Sequence, residues 1–227
     1  MTIIDCNVSQ LFFQTILDNN PHLTSVRLSV SDVSTSPLTN GSLINISKVR
    51  NLRRLTLFDF GINDSNLDLV CLGSKEKLDY LCLGYLSIRE GPLFKLWDGL
   101  VMLTTLLLTD LAMLDEGFAG ICGLQNLKHL EISCLEITGG CFVSTVSSLK
   151  VLEKLSFDVE LFPDVYDQGA LSLAVAPLNE IRSLRRLNFP VRDGSSRILR
   201  SLCWKVKKWI VTAGTDHYSL HYKFYSL

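Results

Sequence analysis

The sequence predicts an α/β solenoid of about seven to eight repeats, with a parallel sheet on its concave side and helices on its convex side. The first observation behind this is a recurring anchor, L-x-x-L-x-L. It stands at Leu23-x-x-Val26-x-Leu28, Leu52-x-x-Leu55-x-Leu57, Leu78-x-x-Leu81-x-Leu83 and Leu103-x-x-Leu106-x-Leu108. It continues at Leu127-x-x-Leu130-x-Ile132, Leu152-x-x-Leu155-x-Phe157 and Leu184-x-x-Leu187-x-Phe189. First anchors are 29, 26, 25, 24, 25 and 32 residues apart, and self-similarity at such a period marks a stacked-repeat architecture. Four units extend the register, at Phe60-x-Ile62, Leu86-x-Ile88, Leu111-x-Met113 and Leu135-x-Ile137.

The second observation is a change of period within each unit. Alternation across the last two anchors places both side chains on one face of a short strand. Between strands the spacing becomes helical, as in Leu93, Phe94, Leu96, Trp97 and Leu100, or Phe118, Ile121, Cys122 and Leu124. One such unit cannot bury its own apolar face, so units stack and share a core.

Taken in order, residues 1–22 form an N-terminal partial repeat or cap. Ile4, in a strand over residues 2–6, and Asn7, just past it, stand where a third anchor and the polar column after it would be. A convex helix follows over residues 8–19, ended by Asn20-Pro21, because the residue before proline disfavours helix. Either that strand is itself the cap, or the chain belongs to a longer array or larger complex. Residues 23–194 hold the repeats. Their two long steps contain polar turn segments, residues 31–37 and 162–167, which are expected as surface loops. Residues 195–227 are expected to close the array with a helix and a strand. The helix, 195–210, would bury Ile198, Leu199, Leu202, Val206 and Ile210, and the strand alternates Tyr218, Leu220, Tyr222 and Phe224 with polar residues.

Composition narrows the class. The chain has 227 residues, 47% apolar and 20% charged, with a formal net charge of -1, which is the balance of a folded domain and gives no global reason to bind nucleic acid or an anionic membrane. No apolar run reaches spanning length and the first residues lack a secretory pattern. The expectation is therefore a cytoplasmic or nuclear protein. Seven scattered cysteines without a C-x-x-C pair are expected as small buried apolar groups.

These repeats resemble the longer-repeat leucine-rich-repeat proteins with convex helices, over roughly residues 8–192. Ribonuclease inhibitor and the arrays of F-box leucine-rich-repeat and Zyg-11-like ubiquitin-ligase receptors are of this kind. The resemblance implies a protein-protein interaction scaffold, with substrate recognition or adaptor work in a ubiquitin ligase as the nearest analogy. An inhibitor or innate-immune-type module that binds one enzyme or ligand is the alternative. The sequence departs from the family where Phe60, Leu86, Leu111 and Leu135 replace the usual Asn, so an Asn ladder is not expected. No F-box is recognisable.

Catalytic, cofactor and metal sites are not expected. The phosphate-binding, dinucleotide, H-E-x-x-H and G-x-S-x-G patterns do not occur. Gly117, Gly120 and Gly123 share a three-residue spacing that suits close helix packing. His217 and His221 fall on the alternating strand pattern, about 13 Å apart, too far to share a metal ion. Cys134 with His129 is the best nucleophile pairing, but the two stand on opposite faces of a strand turn.

A protein partner is expected on the concave face, whose columns follow from the repeat alignment. One column is Ser25, Arg54, Tyr80, Thr105, His129, Lys154 and Arg186. The next is Arg27, Thr56, Cys82, Leu107, Glu131, Ser156 and Asn188, and the third Ser29, Phe58, Gly84, Thr109, Ser133, Asp158 and Pro190. Phe58, Tyr80, Cys82 and Leu107 are apolar where solvent-facing strand positions are usually polar. Arg27 and Arg54 flank them on one side, and His129, Glu131 and Lys154 on the other, which is how interface anchors are arranged. The alternative, that Phe58 and Tyr80 merely lean on each other across strands, stays open.

Overall fold

The computed structural model describes residues 1–4, 10–29, 44–58, 73–85, 96–111, 113–133, 137–157, 176–191 and 208–213. Among these residues nine strands lie in chain order in a single parallel sheet. They are β1 (Thr2–Ile4), β2 (Ser25–Ser29), β3 (Arg54–Phe58), β4 (Tyr80–Gly84), β5 (Thr105–Thr109), β6 (His129–Ser133), β7 (Lys154–Phe157), β8 (Arg186–Val191) and β9 (Lys208–Ala213). Strand order equal to chain order means each repeat pairs with the one before it, which is the α/β leucine-rich-repeat solenoid.

Register follows the anchors. Leu55 pairs with Leu81, which pairs with Leu106, then Leu130, Leu155 and Leu187. Every one of these is fully buried. Leu111, Met113 and Ile137, from the extended pattern, are buried as well, while Phe60, Ile62, Leu86, Ile88 and Leu135 lie outside the described residues.

The convex side is built from short helices and 3₁₀ turns. α1 (Gln10–Asn19), α2 (Asp115–Ala119) and α3 (Gly139–Ser148) are the described α-helices, with 3₁₀ turns at Ile44–Lys48, Lys75–Lys77, Gly120–Gly123 and Ala176–Glu180. Phe118, Phe142 and Phe157 link three repeats through ring centroids 6.3 Å and 4.8 Å apart. Polar groups tie the same layer together. The Trp97 indole N–H donates to the Gly117 carbonyl at 2.8 Å in a buried site. The backbone and hydroxyl of Thr138, the residue before α3, donate to the Asp115 carboxylate at 2.7 and 2.6 Å, which also sets a negative charge near a helix start.

Four expectations change. At the N-terminus it is Ile3, not Ile4, that pairs with Leu28, and Ile3 is buried; adjacent strand residues point to opposite faces, so a one-residue change of phase exchanges their roles. Cys122 is exposed rather than buried, and Gly123 has open space where a Cβ would stand, so of the three-glycine spacing Gly117 alone lies in a buried contact among the described residues. At the far end, residues 208–210 belong to β9 rather than to a helix. Trp209, Ile210, Val211 and Thr212 favour strand, and β8 offers a six-residue edge on which to pair. The strand expected over 218–224, Cys134, His217 and His221 lie outside the described residues. No described helix is long and apolar enough to cross a membrane.

Repeats are locked at the strand starts by shared carbonyls. Thr24 O accepts from both Arg53 and Arg54 N–H, Arg53 O from Asp79 and Tyr80, and Asp79 O from Thr104 and Thr105. Thr104, Lys128 and Glu153 continue the same pattern to the next repeats, at 2.8 to 3.0 Å. Just before the first anchor, side chains form a ladder of their own between repeats: Lys77 donates to Arg50 O, Asn126 to Val101 O and Ser183 to Lys150 O, at 3.0, 2.7 and 2.9 Å. Equivalent positions Met102 and Val151 cannot donate and are exposed.

Asn126→Ala should therefore cost about 0.5–1 kcal/mol. Val151→Asn should gain a similar amount by adding a rung, and urea midpoints of the two variants against the parent check both signs.

Candidate functional site

All nine candidate residues stand on the concave columns expected of them. Arg54, Tyr80, Thr105, His129, Lys154 and Arg186 are register partners from β3 to β8. Arg27, Thr56, Cys82, Leu107, Glu131, Ser156 and Asn188 form the adjacent line from β2 to β8. Side chains two residues apart on a strand share a face, so the two lines lie beside each other over the middle of the sheet.

The apolar members are not equally available. Cys82 and Leu107 are each only 5% exposed, which corrects the expectation that they present a solvent-facing patch. They form a dry floor instead. The Tyr80 hydroxyl and the Cys82 thiol perturb each other's titration, and the Arg54 guanidinium lies 4.6 Å from the centre of the Tyr80 ring. That stack is a cation–π contact of the kind worth roughly 0.5–1 kcal/mol at an open site. Burial raises the Tyr80 hydroxyl above its ordinary range and pushes the Cys82 thiol up to about 12. Cys82 is thus a neutral packing group, not a nucleophile.

Phe58 pairs with Tyr85, ring centroids 6.4 Å apart and tilted by 37°. Its ring occupies the space where a Cβ on Gly84 would lie, which is why the strand-end column has a glycine beside that phenylalanine. Phe58 is half-buried through this packing. Tyr85 and Asp110 occupy the same place in successive repeats and share a left-handed backbone, φ 52° and 47°. Their N–H groups donate to the carbonyls of Thr109 and Ser133 on the next strand.

The other flank is polar and partly buried. His129 Nε2 lies 3.8 Å from Glu131 Oε2, too long for a hydrogen bond, so mutual attraction does not offset burial. Burial, followed by the neighbouring Lys154 charge, lowers the His129 imidazole, and burial pushes the Glu131 carboxyl up to about 7. Near neutral pH, His129 is uncharged and Glu131 is divided between its two forms. Among the described residues no cluster of three His, Cys, Asp or Glu could hold a metal ion.

Fold and face together define an α/β leucine-rich-repeat solenoid with a mixed aromatic and charged concave surface. No protein-family model matches the sequence, and no curated protein does. Solved structures are similar to it. An internalin (inlF) from Listeria monocytogenes is 17% identical, with TM-score 0.49, over 92% of this chain and 59% of its own. Internalin C2 from the same organism is 16% identical, with TM-score 0.44, over 88% and 92% of the two chains. The plant peptide hormone receptor RGFR1, solved in complex with RGF2, is 10% identical, with TM-score 0.33, over 80% of this chain and 37% of the receptor. The chain thus spans 59% of the inlF internalin's length.

Glu131 offers a direct test of the site's polarity. Its carboxyl has a raised folded pKa, so its contribution is fully present below about 4.5 and lost as pH rises through about 7. Glu131→Gln should match the parent at pH near 4 and exceed its stability at pH near 8 by roughly 1–3 kcal/mol. Urea unfolding at the two pH values measures the gap.

Proposed function

We propose that the chain is a protein-interaction scaffold that holds a partner on its concave face, over β3 to β6. The observation that carries this is the Arg54–Tyr80 stack above the dry Cys82–Leu107 floor. Tyrosine and arginine at the centre of a patch, with water excluded beneath them, are the residue types that dominate interface energy. Phe58 and Arg27 border the stack on one side, and His129, Glu131 and Lys154 on the other. Seven strands about 4.8 Å apart span roughly 30 Å, so the whole concave face has room for a standard interface of about 800 Å² per partner, centred on this stack.

The finer reading is a substrate-recognition or adaptor subunit of a ubiquitin ligase, working in the cytoplasm or nucleus. It is supported by the resemblance of the repeats to F-box leucine-rich-repeat and Zyg-11-like arrays. Binding without catalysis fits the neutral Cys82 thiol and uncharged His129. The reading comes apart into two testable halves.

Affinity capture with the tagged chain should retain a defined partner set. Arg54→Ala with Tyr80→Ala should reduce that capture at least about tenfold, while the convex change Glu116→Ala should not. Cullin-adaptor subunits among the captured proteins support the ligase reading, and a single enzyme in their place supports an inhibitor. Undiminished capture by the double variant would sink the concave patch.

A further inference from the structure

The positions that start each strand carry most of the chain's positive charge. Residues 48–54, 74–80, 97–105, 122–129, 148–154 and 180–186 hold twelve Lys or Arg against five Asp or Glu. The remaining residues hold ten against eighteen, in a chain whose net charge is -1. A solenoid turns this sequence pattern into a rim, because equivalent positions of every repeat stack along one edge.

Within the rim two stretches carry the excess: the start of β3, with four Lys or Arg and no Asp or Glu over 48–54, and the starts of β7 and β8, with five against two over 148–154 and 180–186. Lys154 pairs in register with Arg186, and Arg186 with Lys208, so three positive residues occupy one column on adjacent strands. Lys150, Arg182 and Arg185 lie in the turns and strand starts beside them and are exposed, as are Lys154 and Arg186. Glu153 sits among them but faces Lys128, 3.9 Å away. Among the described residues no carboxylate pairs with Lys154, Arg182, Arg185 or Arg186.

Like charges directly opposite each other on neighbouring strands oppose folding. Nothing in the sheet requires them there, since Ser25, Tyr80 and Thr105 fill the same column elsewhere. The geometry points to a docking surface for an acidic polypeptide segment of a protein partner, on the Lys154–Arg186 column and its adjoining turns. This deepens the protein-binding reading and rests on it.

Carboxylates fit the surface better than a phosphate backbone does. Arginine's planar fork takes a carboxylate on two bonds, and Arg182, Arg185 and Arg186 are three of the cluster's cations. A nucleic-acid strand needs a continuous track, whereas Glu76, Asp79 and Asp98 interrupt the rim at the next cluster. Ser156 and Asn188, beside Lys154 and Arg186 on the concave face, offer no aromatic platform for bases.

The test is fluorescence anisotropy of a labelled peptide of alternating Glu and Ser, titrated with the full chain. Binding is expected at about 50 mM salt and should weaken at about 200 mM. Lys154→Glu with Arg186→Glu should weaken it at least about tenfold, whereas Lys75→Glu with Lys77→Glu should change it less than about twofold. Lys154→Gln with Arg186→Gln should also lose the peptide while melting at or above the parent, which separates lost docking from lost folding. No binding by the parent, equal weakening by both reversals, or tighter binding of an oligothymidine of matching charge would each overturn the proposal. Arg54→Ala with Tyr80→Ala should keep the peptide, so failure here and failure of the concave patch are told apart.

Discussion

From β2 to β8 each repeat is locked to the next, at the strand start, by one backbone carbonyl that accepts two successive N–H groups, and the rest of the structure depends on the register this sets. The acceptor is always the first variable position of the anchor pattern, from Thr24 through Arg53, Asp79, Thr104 and Lys128 to Glu153. Two bonds to one oxygen fix both the translation and the phase of the incoming strand. A slip by one residue would break both and turn the leucines outward. Since a backbone group supplies the lock, the side chain at that position is free to vary. That freedom is why Thr, Arg, Asp, Lys and Glu all occur there, and why charge can collect on this rim without disturbing the core.

The concave face inherits its order from this lock. Once register is set, Arg54 and Tyr80 become neighbours on adjacent strands, and Tyr80 and Cys82 neighbours on one strand. Packing between the two columns leaves Cys82 and Leu107 nearly without solvent. The same crowding raises Glu131 and lowers His129, because their 3.8 Å separation is too great for a hydrogen bond to replace lost hydration. A partner that reached Glu131 with a hydrogen-bond donor would supply what the sheet does not.

What was legible in the sequence was whatever the anchor period controls. Seven anchors at steps near 25 residues gave the architecture, and their alignment alone gave the concave columns, later matched residue by residue in the strand pairing from Arg54 to Arg186. Where two isoleucines are adjacent, at Ile3 and Ile4, the pattern alone leaves the phase open by one residue, and the pairing of Ile3 with Leu28 closes it. At 208–213 two patterns overlapped, a helical stripe ending at Ile210 and a β-favouring run beginning at Trp209, and the free edge of β8 decided for the strand. Depth was not legible at all. Cys82 and Leu107 carry the same pattern as an exposed column, and burial on a concave sheet comes from neighbours that pattern does not weigh. The carbonyl lock was equally hidden, being made of backbone atoms common to every residue.

Nearest-neighbour stacking also explains why a binding surface belongs in the middle of this sheet. In a solenoid a repeat is stabilised by its own fold and by its two contacts. Strands β3 to β6 have partners on both sides, and their inward leucines are fully buried, whereas Ile3 on β1, with one neighbour, keeps 8% of its surface open. A side chain anchored from both flanks loses little further freedom on binding, which keeps the entropic cost of association low. The Arg54–Tyr80 stack is placed on such a platform. The Lys154–Arg186 column is placed differently, toward the end of the sheet where each repeat adds like charge to the last. Its repulsion is tolerated because the carbonyl lock at Glu153 holds β8 in register regardless of what the side chains prefer.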